Sequence, residues 1–310
     1  MNELQPNNQD LSFLVIIFTV FLCALFGANA VAIKASLSGL GVFTTVGFRF
    51  TIASVAIFLW AKTTGRHFRI KKGQVLQLLI VSTIFTVQLS LFYYALSKTN
   101  ASRGTLLVNL QPFFVLFLAH YFIPGDRITK RKILGIIMGF TGIVFVFLEQ
   151  ENVTTDFQTG DLIILLASFI WSCSAVYTKR IIENFEPFHL ALYPMLFGLP
   201  FFCIEAFLWD STFIVDLNPR VLGALLYQGL VTASFGFVAW NSLLQRYGAV
   251  SLHSFIFIMP IAGVFLGGLL LGEPITYNII IALLFIVAGI LVIHLKQKRF
   301  VPIFPLGRNI

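Results

Sequence analysis

Ten apolar segments of roughly bilayer-crossing length leave this chain few folds to choose from. They run at 12–33, 42–61, 74–96, 102–122, 132–148, 161–179, 188–208, 221–243, 250–271 and 277–295. A helix rises about 1.5 Å per residue, so each segment can cross or nearly cross a hydrocarbon core about 30 Å thick. No water in that core satisfies a bare amide, and only helices or closed barrels span it. The runs are continuously apolar rather than alternating, which selects helices. Composition agrees, with 58% hydrophobic residues against 11% charged. A formal charge of +8 would suggest nucleic acid in a soluble protein; here the basic residues lie between apolar segments, where they meet anionic lipid.

Orientation follows from Lys and Arg. With the N-terminus inside, the inner loops and tail hold sixteen of the 21 basic residues, among them Arg66, Arg69, Arg131, Lys132, Lys179 and Arg246. Lys34, Lys98, Arg103 and Arg220 fall outside, and Arg49 falls within a span. Both termini are expected in the cytoplasm. Ala28-Asn29-Ala30 looks like a signal-peptidase site, yet residues 1–11 carry no Lys or Arg, so the first segment is read as a retained span.

The chain also contains one stretch twice. Ala101–Thr129 carries Pro112 inside an apolar run and closes on Gly125-Asp126; Ala249–Thr276 carries Pro260 and closes on Gly272-Glu273. Gly142 and Gly289 keep nearly the same offset as Pro112 and Pro260, 147 residues against 148, and Asn29–Lys34 sits 145 residues before Ser174–Lys179. Five spans per half is an odd number, so the halves cross the membrane in opposite senses. The expectation is an all-α integral membrane protein of ten transmembrane helices in two inverted five-helix repeats, residues 1–149 and 150–296, with a cytoplasmic tail at 297–310.

Two five-helix halves, each with a proline-centred fourth helix ending Gly-Asp/Glu then Ile-Thr, resemble the EamA-type members of the drug/metabolite transporter superfamily. So does the Ala-Val-x-x-Lys element at Ala30–Lys34 and Ala175–Lys179. The resemblance covers about residues 12–296 and implies a ten-helix inverted-repeat fold exporting amino acids, related metabolites or drug-like compounds. Asp126 in place of Glu, and Phe26 opposite Trp171, depart from the pattern and bear on specificity.

Several span residues are candidates for substrate binding. Arg49 lies about two turns inside the second span, where a charge costs roughly 3 kcal/mol or more without water or a partner. It either meets a substrate carboxylate, snorkels to the interface, or pairs with Asp210 or Glu205. Ser102, Thr105, Asn109 and Pro112 share one face of the fourth span, which Gln88, Tyr93 and Tyr94 can oppose. In the second half His253, Phe257 and Pro260 share the matching face, with Trp171, Ser174, Tyr193, Gln228 and Trp240 nearby as an aromatic and polar wall. Interhelical packing, or anchoring at the interface for Trp240, is the competing role. Pro112 and Pro260 are read as helix breaks that gate the exchange of conformations.

The acidic residues all lie in loops or near helix ends, with Glu205 deepest, which points to a facilitator or exchanger; His253 keeps proton coupling open. No Walker, HExxH or nucleophile-elbow motif stands in the sequence, and Cys23, Cys173 and Cys203 form no pair motif. No catalytic residue, metal or cofactor is expected. The partners expected are a small-molecule substrate and membrane lipids, without nucleic acid. Gly263, Gly267, Gly268 and Gly272 fit internal packing or a dimer face, so monomer and homodimer both stand. The alternatives are an intramembrane lipid-modifying enzyme and a non-transporting scaffold.

Overall fold

The computed structural model describes residues 12–122, 129–148, 155–247, 252 and 255–294. Its first half contains α1 (Phe13–Gly27), α2 (Asn29–Leu37), α3 (Val42–Thr63), α4 (Lys72–Lys98), α5 (Ala101–Val108), α6 (Gln111–Phe122) and α7 (Lys130–Phe147). The second contains α8 (Thr155–Ile181), α9 (Pro187–Trp209), α10 (Pro219–Leu226), a π-helical stretch (Tyr227–Gly236), α11 (Phe237–Tyr247), α12 (Ile258–Leu271) and α13 (Tyr277–His294). Among the described residues the only β pairing is an isolated bridge between Leu40 and Ile214. Among the described residues seven helical stretches are long and apolar enough to cross a membrane, and α12 and α13 are shorter apolar helices. The chain is a multi-pass integral membrane protein.

Side chains set the helix starts. Asn100 Oδ1 accepts from Arg103 N at 2.8 Å, opening α5, and Asn218 Oδ1 accepts from Val221 N at 3.0 Å, opening α10. Gly272, at φ 67°, ends α12 in a left-handed turn that a Cβ would strain. The sequence starts the sixth segment at 161; the helix instead begins at Thr155, which moves Asp161 from the segment's edge into the second turn of α8, where it is fully buried.

Helices of the two halves pair antiparallel through small residues and aromatics. On α7, Gly135 faces Gly289 and Ile293 of α13, while Gly142 faces Ala282 and Ile286, so the sequence runs opposite ways along this contact. A Cβ at Gly289 would lie 2.7 Å from the Gly135 carbonyl oxygen, so only glycine permits this approach. Phe50 of α3 stacks on Phe202 of α9 with centroids 5.7 Å apart, and Phe43 meets Trp209 at 5.8 Å. At the α5–α12 crossing Thr105 sits against Gly263 and Ser102 against Gly267. These two glycines, read from sequence as either packing or dimer-face residues, are packing residues inside the protomer.

The breaks fall just before the prolines. The chain leaves helical geometry at Asn109-Leu110, and Pro112 is the second residue of α6; Pro260 is the third residue of α12, after a turn at Phe255–Phe257. Proline is tolerated there because first-turn amides have no intrahelical acceptor. Pro112 still offers no hydrogen to the Val108 carbonyl four residues back. Ser168 Oγ of α8 fills that role at 3.2 Å, and Ser172 Oγ donates to the Gln111 carbonyl at 3.1 Å.

Candidate translocation site

One buried polar network crosses the middle of the bundle, centred on Arg49. The arginine is 3% exposed on α3, against the Phe50 ring at 5.0 Å and the Tyr93 ring at 5.9 Å. Arg49 Nη1 donates to Tyr93 Oη at 2.7 Å, and Tyr93 Oη donates to Gln228 Oε1 at 2.7 Å. Gln228 Nε2 then donates to Ser36 Oγ at 2.7 Å and to the Ala32 carbonyl at 3.1 Å. A second branch runs from Arg49 Nη2 to Thr232 Oγ1 at 3.4 Å and from that hydroxyl to Asn29 Oδ1 at 3.0 Å. The network thus ties α2, α3 and α4 of the first half to the π-helical stretch of the second.

Backbone geometry puts these groups in reach. A π-helix is a rare, wide-turned conformation that frequently occurs at functional sites. Here it carries Gln228 and Thr232 toward α3, and Gly229 between them rides on the α3 backbone. A Cβ at Gly229 would sit 2.7 Å from Ile52 Cγ2 and 3.2 Å from the Arg49 carbonyl oxygen.

The electrostatics are unbalanced. Neither carboxylate read from sequence as a partner reaches Arg49. Asp210 accepts from Thr44 N and Thr44 Oγ1, each at 2.8 Å, at the start of α3, while Glu205 accepts from Ser90 Oγ at 2.7 Å. Among the described residues, every group hydrogen-bonded to Arg49 is neutral, and Arg49 Nε is buried with no partner. Arg103 is the contrast: it is 2% exposed and paired with the buried Asp161 carboxylate, which also accepts from Thr99 Oγ1 at 2.8 Å.

The other sequence candidates scatter. Gln88 is buried on α4 with its Oε1 unpartnered. Tyr94, about 100° further round the helix from the buried Tyr93, is 40% exposed with the Lys98 ammonium 5.4 Å from its ring centroid. Asn109 returns its Nδ2 to the Thr105 carbonyl at 2.7 Å, spending its amide on the helix break. Trp171 is half-buried and Ser174 buried on α8, and neither joins the Arg49 network. Tyr193 donates to the Phe68 carbonyl at 2.5 Å, anchoring the segment before α4 to α9. Trp240 meets the Phe26 ring edge-on at 6.0 Å. Gln228 joins the Arg49 network through Tyr93, and His253 lies outside the described residues. Sequence reasoning missed Asn29, Ser36 and Thr232. The four-residue spacing of Gln228 and Thr232 was the available signal, although in a π-helix it does not carry its usual meaning.

Between the end of α3, the start of α9 and α11 lies a cleft of about 390 Å³, bordered by Trp60, Arg66, Glu186, Phe188, Ser242 and Arg246.

Comparison with known proteins bears on this arrangement. The model of the EamA-like transporter family matches twice, over residues 13–148 and 158–295. An uncharacterized transporter of Bacillus subtilis, YoaV, is 23% identical over 278 residues, which is 89% of this chain and 95% of that protein. A "Probable amino-acid metabolite efflux pump" of Salmonella typhimurium is 24% identical, over 87% of this chain and 91% of its own. One solved crystal structure superposes with a TM-score of 0.69 at 17% identity, over 90% of this chain and 97% of that one, a likeness of fold. With the family model matched twice over nearly its whole length, the chain belongs to the EamA-like transporter family.

Proposed function

We propose that this transporter works by alternating access and exports or exchanges amino acids or related small metabolites, holding an anionic group of the substrate at Arg49. The observation that carries the reading is the buried Arg49 guanidinium, which among the described residues has only neutral hydrogen-bond partners and an unpartnered Nε. A charge at bilayer depth is costly, and a substrate carboxylate would both neutralise it and match its planar donor edge. The name of the Salmonella relative fits a substrate of this class.

The same proposal takes the bundle as ten transmembrane helices in two inverted five-helix repeats, with both termini cytoplasmic. The antiparallel pairing of α7 with α13, of α3 with α9, and the matched breaks before Pro112 and Pro260 support it. Inverted halves supply two conformations related by exchanging roles, which is the basis of alternating access.

The test is counterflow in proteoliposomes across a panel of amino acids, the corresponding amines and drug-like cations. Arg49→Lys keeps charge but loses the planar fork. It should reduce uptake of carboxylate-bearing substrates at least about tenfold, a transition of about 1.4 kcal/mol, and leave amines less affected. Equal loss for both classes would end the assignment of Arg49 to a carboxylate.

A further inference from the structure

At one end of the bundle, a carboxylate of the second half grips a helix of the first. Glu273 lies just past the left-handed Gly272 that ends α12. Its Oε1 accepts from Ala101 N at 2.6 Å, and its Oε2 accepts from Ser102 N at 2.8 Å and Ser102 Oγ at 2.6 Å. Ala101 and Ser102 are the first two residues of α5, so the carboxylate takes up amides that no turn of α5 can satisfy. Lys34 of α2 donates its ammonium to the Leu96 carbonyl at 3.1 Å.

The contact joins the two helices that follow the same broken plan. Below the carboxylate α5 and α12 cross through Ser102 against Gly267 and Thr105 against Gly263, with no side chain on the glycine side to interlock them. Among the described residues Thr105 Oγ1 is buried there without a hydrogen-bond partner. That atom would gain a partner if water entered between the helices.

We propose that the Glu273 carboxylate is a latch that keeps α5 and α12 together, and that its release opens this end of the bundle during transport. The proposal rests on the alternating-access reading. Charge-assisted bonds to two amides and a hydroxyl make the closed state strong. All the groups involved lie at helix ends, where water can replace each partner on opening, so the latch is reversible. The same bonds buried at mid-bilayer would have no such substitute.

The experiment measures access rather than flux. In a background with Cys23, Cys173 and Cys203 replaced by serine, Thr105→Cys in proteoliposomes is exposed to a membrane-impermeant thiol reagent. Glu273→Ala should raise the labelling rate about tenfold, equivalent to about 1.4 kcal/mol of opening free energy. Glu273→Gln, which keeps one acceptor oxygen and the side-chain volume, should raise it less and serves if the alanine variant does not fold. Asn218→Ala removes a helix cap within the second half alone and should leave the rate at its starting value. Unchanged labelling in the folded Glu273 variants, or an equal rise in Asn218→Ala, would overturn the latch. Faster labelling in a protein that carries no substrate would uphold the latch and refute the transport reading, so the two fail separately.

Discussion

Ser168 donates its hydroxyl to the carbonyl of Val108, the backbone oxygen that Pro112 cannot serve. The bond spans the halves of the molecule and turns a proline defect in α5–α6 into a point of attachment for α8. Membrane helices tolerate proline on this condition, that a neighbour supplies the missing donor.

Replacing Ser168 by alanine should therefore lower thermal stability in detergent by about 1 kcal/mol, in the range of interhelical hydrogen bonds in membranes. In a Pro112→Ala background the amide returns, and the same substitution should cost less. Equal costs in both backgrounds, measured by thermal unfolding, would mean that the serine does not act through the Val108 carbonyl.

Tyr93 and Tyr94 make a matched pair for testing the Arg49 network. Tyr93→Phe removes the hydroxyl between Arg49 and Gln228, whereas Tyr94 is exposed with its ring beside the Lys98 ammonium. Substrate flux should fall severalfold in Tyr93→Phe and stay within a factor of about two in Tyr94→Phe, less than about 0.5 kcal/mol. A reversed order would remove the network from the transport path.

The Arg103–Asp161 pair is buried on both sides. Removing one partner strands a charge, at about 3–5 kcal/mol, while replacing both with apolar groups is often close to neutral. Arg103→Met and Asp161→Leu should each depress yield and melting temperature sharply, with the double variant recovering part of the loss. Additive losses would mean that the pair is not coupled.

Glycine substitutions should separate contacts from open positions. Gly229 packs on Ile52 and the Arg49 carbonyl, whereas a Cβ at Gly223, also helical, meets nothing within 4 Å. Gly223→Ala should be neutral or stabilising by up to about 1 kcal/mol, since glycine is the poorer helix former. Gly229→Ala should push the π-helical stretch away from α3, lower stability and reduce flux together. Thermal melts of both variants, with flux for the second, decide this.

Sidedness is checked at two exposed positions. Single cysteines at Asp216, between α9 and α10, and at Arg66, between α3 and α4, should label from opposite faces of oriented vesicles. Labelling from the same face would dismantle the inverted five-plus-five arrangement.

The sequence by itself determined that the chain lives in a bilayer, that its spans are helical, and that a proline-centred stretch occurs twice. Those features are local: apolar length, basic loops and proline recur along the chain and need no tertiary partner to be read. It also singled out Arg49, because a charge inside a span is conspicuous wherever its neighbours lie. The tertiary structure decided which polar groups meet. Tyr93 and Tyr94 are indistinguishable as letters, and helical rotation alone sends one to Arg49 and the other to the surface. Asn109, read as a cavity residue, bonds its own helix because the chain turns there, and Tyr193 bonds a loop backbone that no span pattern reveals. Gln228 and Thr232 reach Arg49 through a π-helix, a departure from the 3.6-residue period on which every facing argument from sequence depends. Pairings between distant segments, such as Glu273 with Ser102 or Ser168 with Val108, depend on how the helices pack, and chain order carries no record of that.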